Sequence, residues 1–99
     1  MRYIVIYDVT DNDLRNKLIK LLTDYGLERI QYSAFLGELK QHSLNSLTTE
    51  IKRIMNKSGE YVLILPVCDR CFTSKKTVGK PKKYAHIEEA GLKPRVQVF

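Results

Sequence analysis

The sequence predicts an α+β fold in which two helices cover one face of a four-stranded sheet. Two runs rich in β-branched and apolar residues, Arg2–Val9 (RYIVIYDV) and Tyr61–Cys68 (YVLILPVC), read as strands. Two segments with apolar residues spaced by three and four read as helices. They follow one another as β-α-β(β)-α-β by residue 68, the split βαββαβ order of a ferredoxin-like sandwich.

Each element has its own reason. Arg2–Val9 is so continuously apolar that it resembles a central strand covered on both faces. Thr10 stands where a helix N-cap belongs, and Asp11 and Asp13 put negative charge into the first turn. Leu14, Leu18, Leu21, Leu22 and Tyr25 form one stripe, so Asp11–Tyr25 is an amphipathic helix that Gly26 ends. Leu27–Lys40 is extended, as one bent strand or two short ones, with Gly37 a candidate bulge or bend. Alternation there puts Ile30, Tyr32, Ala34 and Leu36 on one face and Arg29, Gln31, Ser33 and Phe35 on the other. Ser43–Lys57 is the second helix, with Leu44, Leu47, Ile51, Ile54 and Met55 inward. Tyr61–Cys68 is a second buried strand, with Pro66 near its end or at an edge for want of a donor.

The chain of 99 residues makes a single domain, 1–80 as core and 81–99 as a basic linker and terminal strand. A helical turn is expected near Tyr84–Ala90. Arg95–Phe99 (RVQVF) alternates as a strand, and a lone terminal strand needs a sheet edge, which a second subunit can supply. The longest apolar run falls far short of the roughly 20 residues that cross a bilayer, and the N-terminus lacks a signal-peptide layout. A soluble cytoplasmic protein without a membrane partner is expected.

The net charge is +6, unevenly placed. Residues 1–68 hold 9 basic and 8 acidic side chains, whereas residues 69–99 hold 8 basic and 3 acidic. A basic third on a neutral body points to a polyanion, nucleic acid first, with a merely solubilising lysine loop as the plain alternative. Lys75, Lys76, Lys80, Lys82 and Lys83 are the phosphate-contact candidates, in loops that bind backbone without reading bases.

Asp8 is the sharpest single feature, a carboxylate at the end of an apolar strand. Such a group calls for a cation, a set of donors or a proton. It is a candidate ligand for Mg²⁺ or Mn²⁺, which take hard oxygen donors. The competing reading is a loop aspartate that caps the next helix or pairs with Arg15 or Arg29. One carboxylate is little support for metal-assisted phosphodiester cleavage, and Asp11 and Asp13 are better explained as helix-capping charge. A two-fold axis near the strand end would bring two copies of Asp8 to one ion. On the neighbouring strand, Arg29 and Ser33 suit phosphate, and Phe35 suits base stacking or a dimer contact.

Cys68-Asp69-Arg70-Cys71 is a lone CxxC. Structural zinc needs four ligands, and no second CxxC or suitably spaced histidine is present. A redox CxxC ordinarily opens a helix after the first strand of its unit, and this one follows the last core strand. Two small buried thiols, or an optional disulfide, is the plainer expectation. GxGxxG, Walker, HExxH and GxSxG patterns are all missing from the sequence.

Tyr7-Asp8-Val9, then Asp13-Leu14-Arg15-Asn16-Lys17, then Tyr25-Gly26-Leu27-Glu28-Arg29-Ile30-Gln31-Tyr32-Ser33-Ala34-Phe35, resemble the small CRISPR-associated adaptation protein, the second family of the CRISPR-associated series. Tyr61–Cys68, the CDRC segment and the closing Val96-Gln97-Val98 extend the resemblance over nearly the whole chain. It implies a ferredoxin-like homodimer whose terminal strand crosses to the partner's sheet. It implies a metal-dependent endonuclease of RNA or duplex DNA, and a scaffold that holds spacer DNA with the CRISPR integrase in adaptation and antiviral defence. On this resemblance the metal-binding aspartate is Asp8, and Tyr7, Arg15, Arg29, Ser33 and Phe35 are the residues beside it. Lys17 stands where some members carry Arg; it keeps the charge and lacks the planar fork of a bidentate phosphate contact. A regulatory or metal-carrying ferredoxin-like domain is the reading from another class, but those carriers put CxxC in the first β-α loop, which here is Asp-rich.

Overall fold

The computed structural model describes residues 1–55 and 59–80. The expected helical turn, the terminal strand, Lys82 and Lys83 lie outside the described residues.

Strand β1 (Arg2–Asp8) alternates strictly, sending Tyr3, Val5 and Tyr7 to one side and Arg2, Ile4, Ile6 and Asp8 to the other. Helix α1 (Asn12–Asp24) follows. Its N-cap is Asp11, not Thr10: the Asp11 carboxylate accepts the Leu14 N–H at 3.0 Å. Both residues were in position to cap, and the carboxylate adds dipole complementarity that a hydroxyl lacks. Gly26 stops the helix at φ 85°, in the left-handed region that favours glycine, as expected.

The extended segment resolves into two strands, β2 (Glu28–Gln31) and β3 (Ala34–Glu38). The irregularity lies between Arg29 and Gln31, a β-bulge, and not at Gly37. Gly37 sits in regular strand, where an added Cβ would stand 2.6 Å from Leu27 Cδ2 and 3.2 Å from Leu27 Cα. Its missing side chain lets the chain leaving α1 pass close over β3.

Helix α2 (Gln41–Ile54) begins two residues earlier than its apolar stripe suggested, and buries Leu47 and Ile51. Strand β4 (Tyr61–Val67) then pairs with β1, completing an antiparallel sheet of order β2-β3-β1-β4. Pro66 is in an edge strand of the described sheet, as its missing donor requires. A short helix α3 (Asp69–Thr73) follows, which the sequence did not announce.

The core lies between the sheet and α1/α2, built from Tyr3, Val5, Tyr7, Phe35, Leu18, Leu22, Leu47 and Ile51. Leu18, Leu22 and Leu47 are fully buried, and truncating any one to Ala would cost about 2–5 kcal/mol. The opposite face overturns two expectations. Among the described residues, neither β1 nor β4 is covered on both sides along its length. Among the described residues only α3 lies there, and its Phe72 packs with Leu36, Ile4, Ile30 and Val67. Beyond Phe72 no other described residue covers the face: Ile6, Leu63, Leu65 and Tyr61 are 37%, 38%, 41% and 56% exposed.

Candidate functional site

Asp8 ends β1 on the open face, opposite Tyr61 of β4. It is exposed, so the desolvation expected from its apolar strand is absent in one chain. None of the ion pairs among the described residues includes it, which leaves the anticipated pairing with Arg15 or Arg29 unmade. Two clamps fix the loop just behind it. Thr10 donates its backbone N–H and its hydroxyl to the two carboxylate oxygens of Glu60, the hydroxyl at 2.7 Å. Arg15 donates through Nη1 to the carbonyls of Val9 (3.0 Å) and Thr10 (3.4 Å), and through Nη2 to Asn12.

Tyr7 precedes Asp8 and therefore points to the other face. Its ring is buried, tilted at 37° to Phe35 with centroids 6.2 Å apart. Its hydroxyl donates to the Tyr32 carbonyl at 3.2 Å, and Arg29 donates to the same oxygen through Nε (3.2 Å) and Nη2 (2.8 Å). The Arg29 guanidinium also lies 5.4 Å from the Tyr32 ring centre. Ser33 joins through its carbonyl, which accepts the Tyr7 N–H at 3.0 Å. Tyr7, Arg29 and Ser33 thus form one cluster that fixes the β2–β3 turn, while Arg15 fixes the loop after Asp8.

The single-face arrangement of Arg29, Gln31, Ser33 and Phe35 does not occur. The bulge pairs Arg29 with Phe35 on the helix side and Gln31 with Ala34, and Ser33 falls in the turn. Phe35 is 2% exposed and belongs to the core, so it is not placed to stack on a base. The basic candidates are dispersed. Lys17 lines a cleft between α1 and α2 with Lys20, Asp24, Glu50 and Arg53, away from the face of Asp8. Lys75 packs its ammonium 3.7 Å from the Phe72 ring centre, and burial followed by Arg2 pulls its pKa down. Lys75 and Lys76 directly follow α3, at the Arg2 end of β1, about 20 Å along the strand from Asp8. Sequence reasoning missed Glu60, whose contact spans 50 residues and leaves no local pattern.

Burial raises the Tyr7 pKa above 10.0 despite the nearby Arg29 and Arg15, and the hydrogen bond to Glu50 raises that of Tyr25. A raised folded-state pKa gives stability that is complete below the unfolded value and lost as pH climbs through the folded one. Unfolding in urea, measured between pH 8 and 11, should become easier above about pH 10. Tyr7→Phe should flatten that decline, at the cost of about 1 kcal/mol for the lost hydroxyl hydrogen bond.

The chemistry on offer is a single exposed carboxylate at a clamped strand end. No group of three His, Cys, Asp or Glu side chains able to hold a metal exists among the described residues. The described residues of one chain therefore do not fit a divalent ion by themselves, and a site at Asp8 would need further ligands, such as a second carboxylate or phosphate.

Residues 1–75 match the family model for CRISPR associated protein Cas2. The chain belongs to the Cas2 family. A relative from Archaeoglobus fulgidus, named CRISPR-associated endoribonuclease Cas2 1, is 38% identical over 71 residues, 72% of this chain and 76% of its own. A crystal structure titled as cas2 superimposes with a TM-score of 0.68 at 36% identity, covering 84% of this chain and 91% of the other. A Thermoproteus tenax protein, named a CRISPR-associated endonuclease Cas1/endonuclease Cas2 fusion, is 37% identical over 70 residues, 71% of this chain and 26% of the fusion. The Cas2 match runs through the CxxC and α3 as well as the sheet. No described helix is long and apolar enough to cross a membrane.

Proposed function

We propose that this chain is a metal-dependent endonuclease of RNA, active also on duplex DNA, that works as a homodimer in CRISPR adaptation. The observation that carries the reading is the position of Asp8: an exposed carboxylate beside a row of exposed apolar side chains, Ile6, Leu63, Leu65 and Tyr61. A second copy seated on that row through a two-fold axis covers the apolar surface and brings in a second Asp8. The two Asp8 carboxylates would hold Mg²⁺ or Mn²⁺ with oxygens of the substrate phosphate. When bound, the ion lowers the pKa of a coordinated water and polarises the phosphodiester.

The protein's own groups have supporting tasks. Arg15 and the Glu60–Thr10 clasp hold the Asp8 loop, and Tyr7 with Arg29 holds the adjoining turn. Lys75, Lys76 and Lys80, with Lys82 and Lys83, would meet backbone phosphates farther along a bound strand.

The names of the relatives support the chemistry, since the Archaeoglobus protein is called an endoribonuclease. The test is cleavage of labelled RNA and labelled duplex DNA with Mg²⁺, with Mn²⁺ and with excess chelator. Cleavage is expected only with metal, and activity that persists undiminished in chelator overturns the proposal. The fusion relative favours a second role, a non-catalytic DNA-binding scaffold beside the CRISPR integrase. That role needs the basic surface and not Asp8, and nucleic-acid binding should then weaken log-linearly with salt.

A further inference from the structure

The CxxC is the motif that the nuclease reading leaves without a task. The structure changes its standing, because the pair does open a helix. Cys68 is the N-cap of α3, in extended backbone at φ −71°, ψ 162°. Its Sγ takes the place of the usual cap oxygen and accepts the Cys71 N–H at 3.4 Å. Both thiols are free and exposed, which corrects the expectation of two buried ones. The spacing places the Cys68 sulfur against the Cys71 backbone, within one helical turn of the Cys71 thiol.

The turn that carries them is anchored. Asp69 pairs with Arg2, the Arg2 guanidinium lies 4.5 Å from the Phe72 ring centre, and Phe72 is buried against the sheet. The Cys68 sulfur is therefore held at the Cys71 amide, and both thiols stand at a surface that small molecules reach. Zinc is the poorer occupant, since no third His, Cys, Asp or Glu joins them among the described residues.

We propose that Cys68 and Cys71 form a reversible dithiol–disulfide couple that reacts with low-molecular-weight disulfides, Cys68 attacking first and Cys71 resolving. The Cys68 thiolate attacks one sulfur of RSSR, forms Cys68–S–S–R and releases RS⁻, which takes a proton. Cys71 then gives up its proton and attacks the Cys68 Sγ, closing the Cys68–Cys71 disulfide and releasing the second RS⁻. The protein loses two electrons and two protons, and RSSR becomes two RSH.

The order of attack follows the environment. The Cys71 amide first, then the Cys71 thiol, pull the Cys68 pKa down, whereas donating to Cys68 pushes that of Cys71 up. The thiolate is the nucleophile, so Cys68 leads. The pair lies at the Arg2 end of β1, across from Val67, while Asp8 lies at the far end across from Tyr61. The couple thus stands or falls separately from the nuclease reading.

The experiment exposes the reduced full chain to oxidised glutathione at neutral pH and follows intact mass. Wild type should lose two hydrogens and keep no adduct. Cys71→Ser should accumulate one glutathione on Cys68. Cys68→Ser, which keeps a cap oxygen, should react about tenfold slower than Cys71→Ser. Competitive alkylation of the wild type with limiting iodoacetamide needs no variant, and should label Cys68 ahead of Cys71. Two retained adducts on the wild type, equal rates for the two variants, or no reaction overturn the proposal.

Discussion

Asp8→Asn should reduce metal-stimulated cleavage about 100-fold while leaving the fold intact. A Lewis-acid ion supplies several kcal/mol to phosphodiester cleavage, and about 3 kcal/mol corresponds to that factor. Asparagine keeps the size and one acceptor oxygen of aspartate but loses the charge that holds a divalent cation. In a two-fold site both ligands change at once, so nothing in the chain compensates. The fold should not respond, because Asp8 is exposed and outside every ion pair among the described residues. Thermal unfolding and dimer mass measured beside the cleavage rate separate a lost ligand from a lost structure. Cleavage by Asp8→Asn at the wild-type rate, with metal present and the protein pure, would sink the shared-ion proposal and favour the scaffold role.

The elements that organise this site were legible where local chemistry decides them. Helix α1 carries its period, its cap and its stop within its own residues, and only the choice between Thr10 and Asp11 went the other way. The β-α-β-β-α-β order followed from the alternation of two periodicities, and the observed sheet order is the one a split βαββαβ requires. Non-local decisions were not legible. The run from Tyr3 to Tyr7 is apolar at every position, so it could not say that Ile6 lies on an open face. Counting in twos puts Phe35 with Ser33 and Gln31, but Tyr32-Ser33 is a turn that sets Gln31 across from Ala34, and the inserted residue at Arg29–Gln31 then brings only Arg29 across from Phe35. Helix α3 is too short to show a period, although Cys68 as cap, Asp69 in its first turn and Phe72 as anchor were all in view. Asp8 was legible for a different reason: a charge ending an apolar strand needs no partner in the count to stand out.

Ile6→Lys combined with Leu63→Lys should convert the proposed dimer to monomer and take cleavage with it, although Asp8 is untouched. The two side chains oppose each other across β1 and β4 on the open face, next to the Asp8–Tyr61 pair. Each is more than one-third exposed in the single chain, so a lysine can reach water there and the core behind, Val5 and Ile64, is undisturbed. At a two-fold contact the same substitutions meet their own copies, placing four ammonium groups in the interface. Burying even one unpaired charge costs several kcal/mol, and each 1.4 kcal/mol weakens association tenfold. Sedimentation should therefore show one-chain mass at concentrations where wild type shows two, with unchanged far-ultraviolet circular dichroism. Loss of cleavage together with loss of the dimer ties the chemistry to the pairing of two Asp8 residues. If the variant stays dimeric, the chains associate through another surface and the two carboxylates do not meet. If it is monomeric yet cleaves at the wild-type rate, one Asp8 suffices, and the missing ligands must come from the nucleic acid.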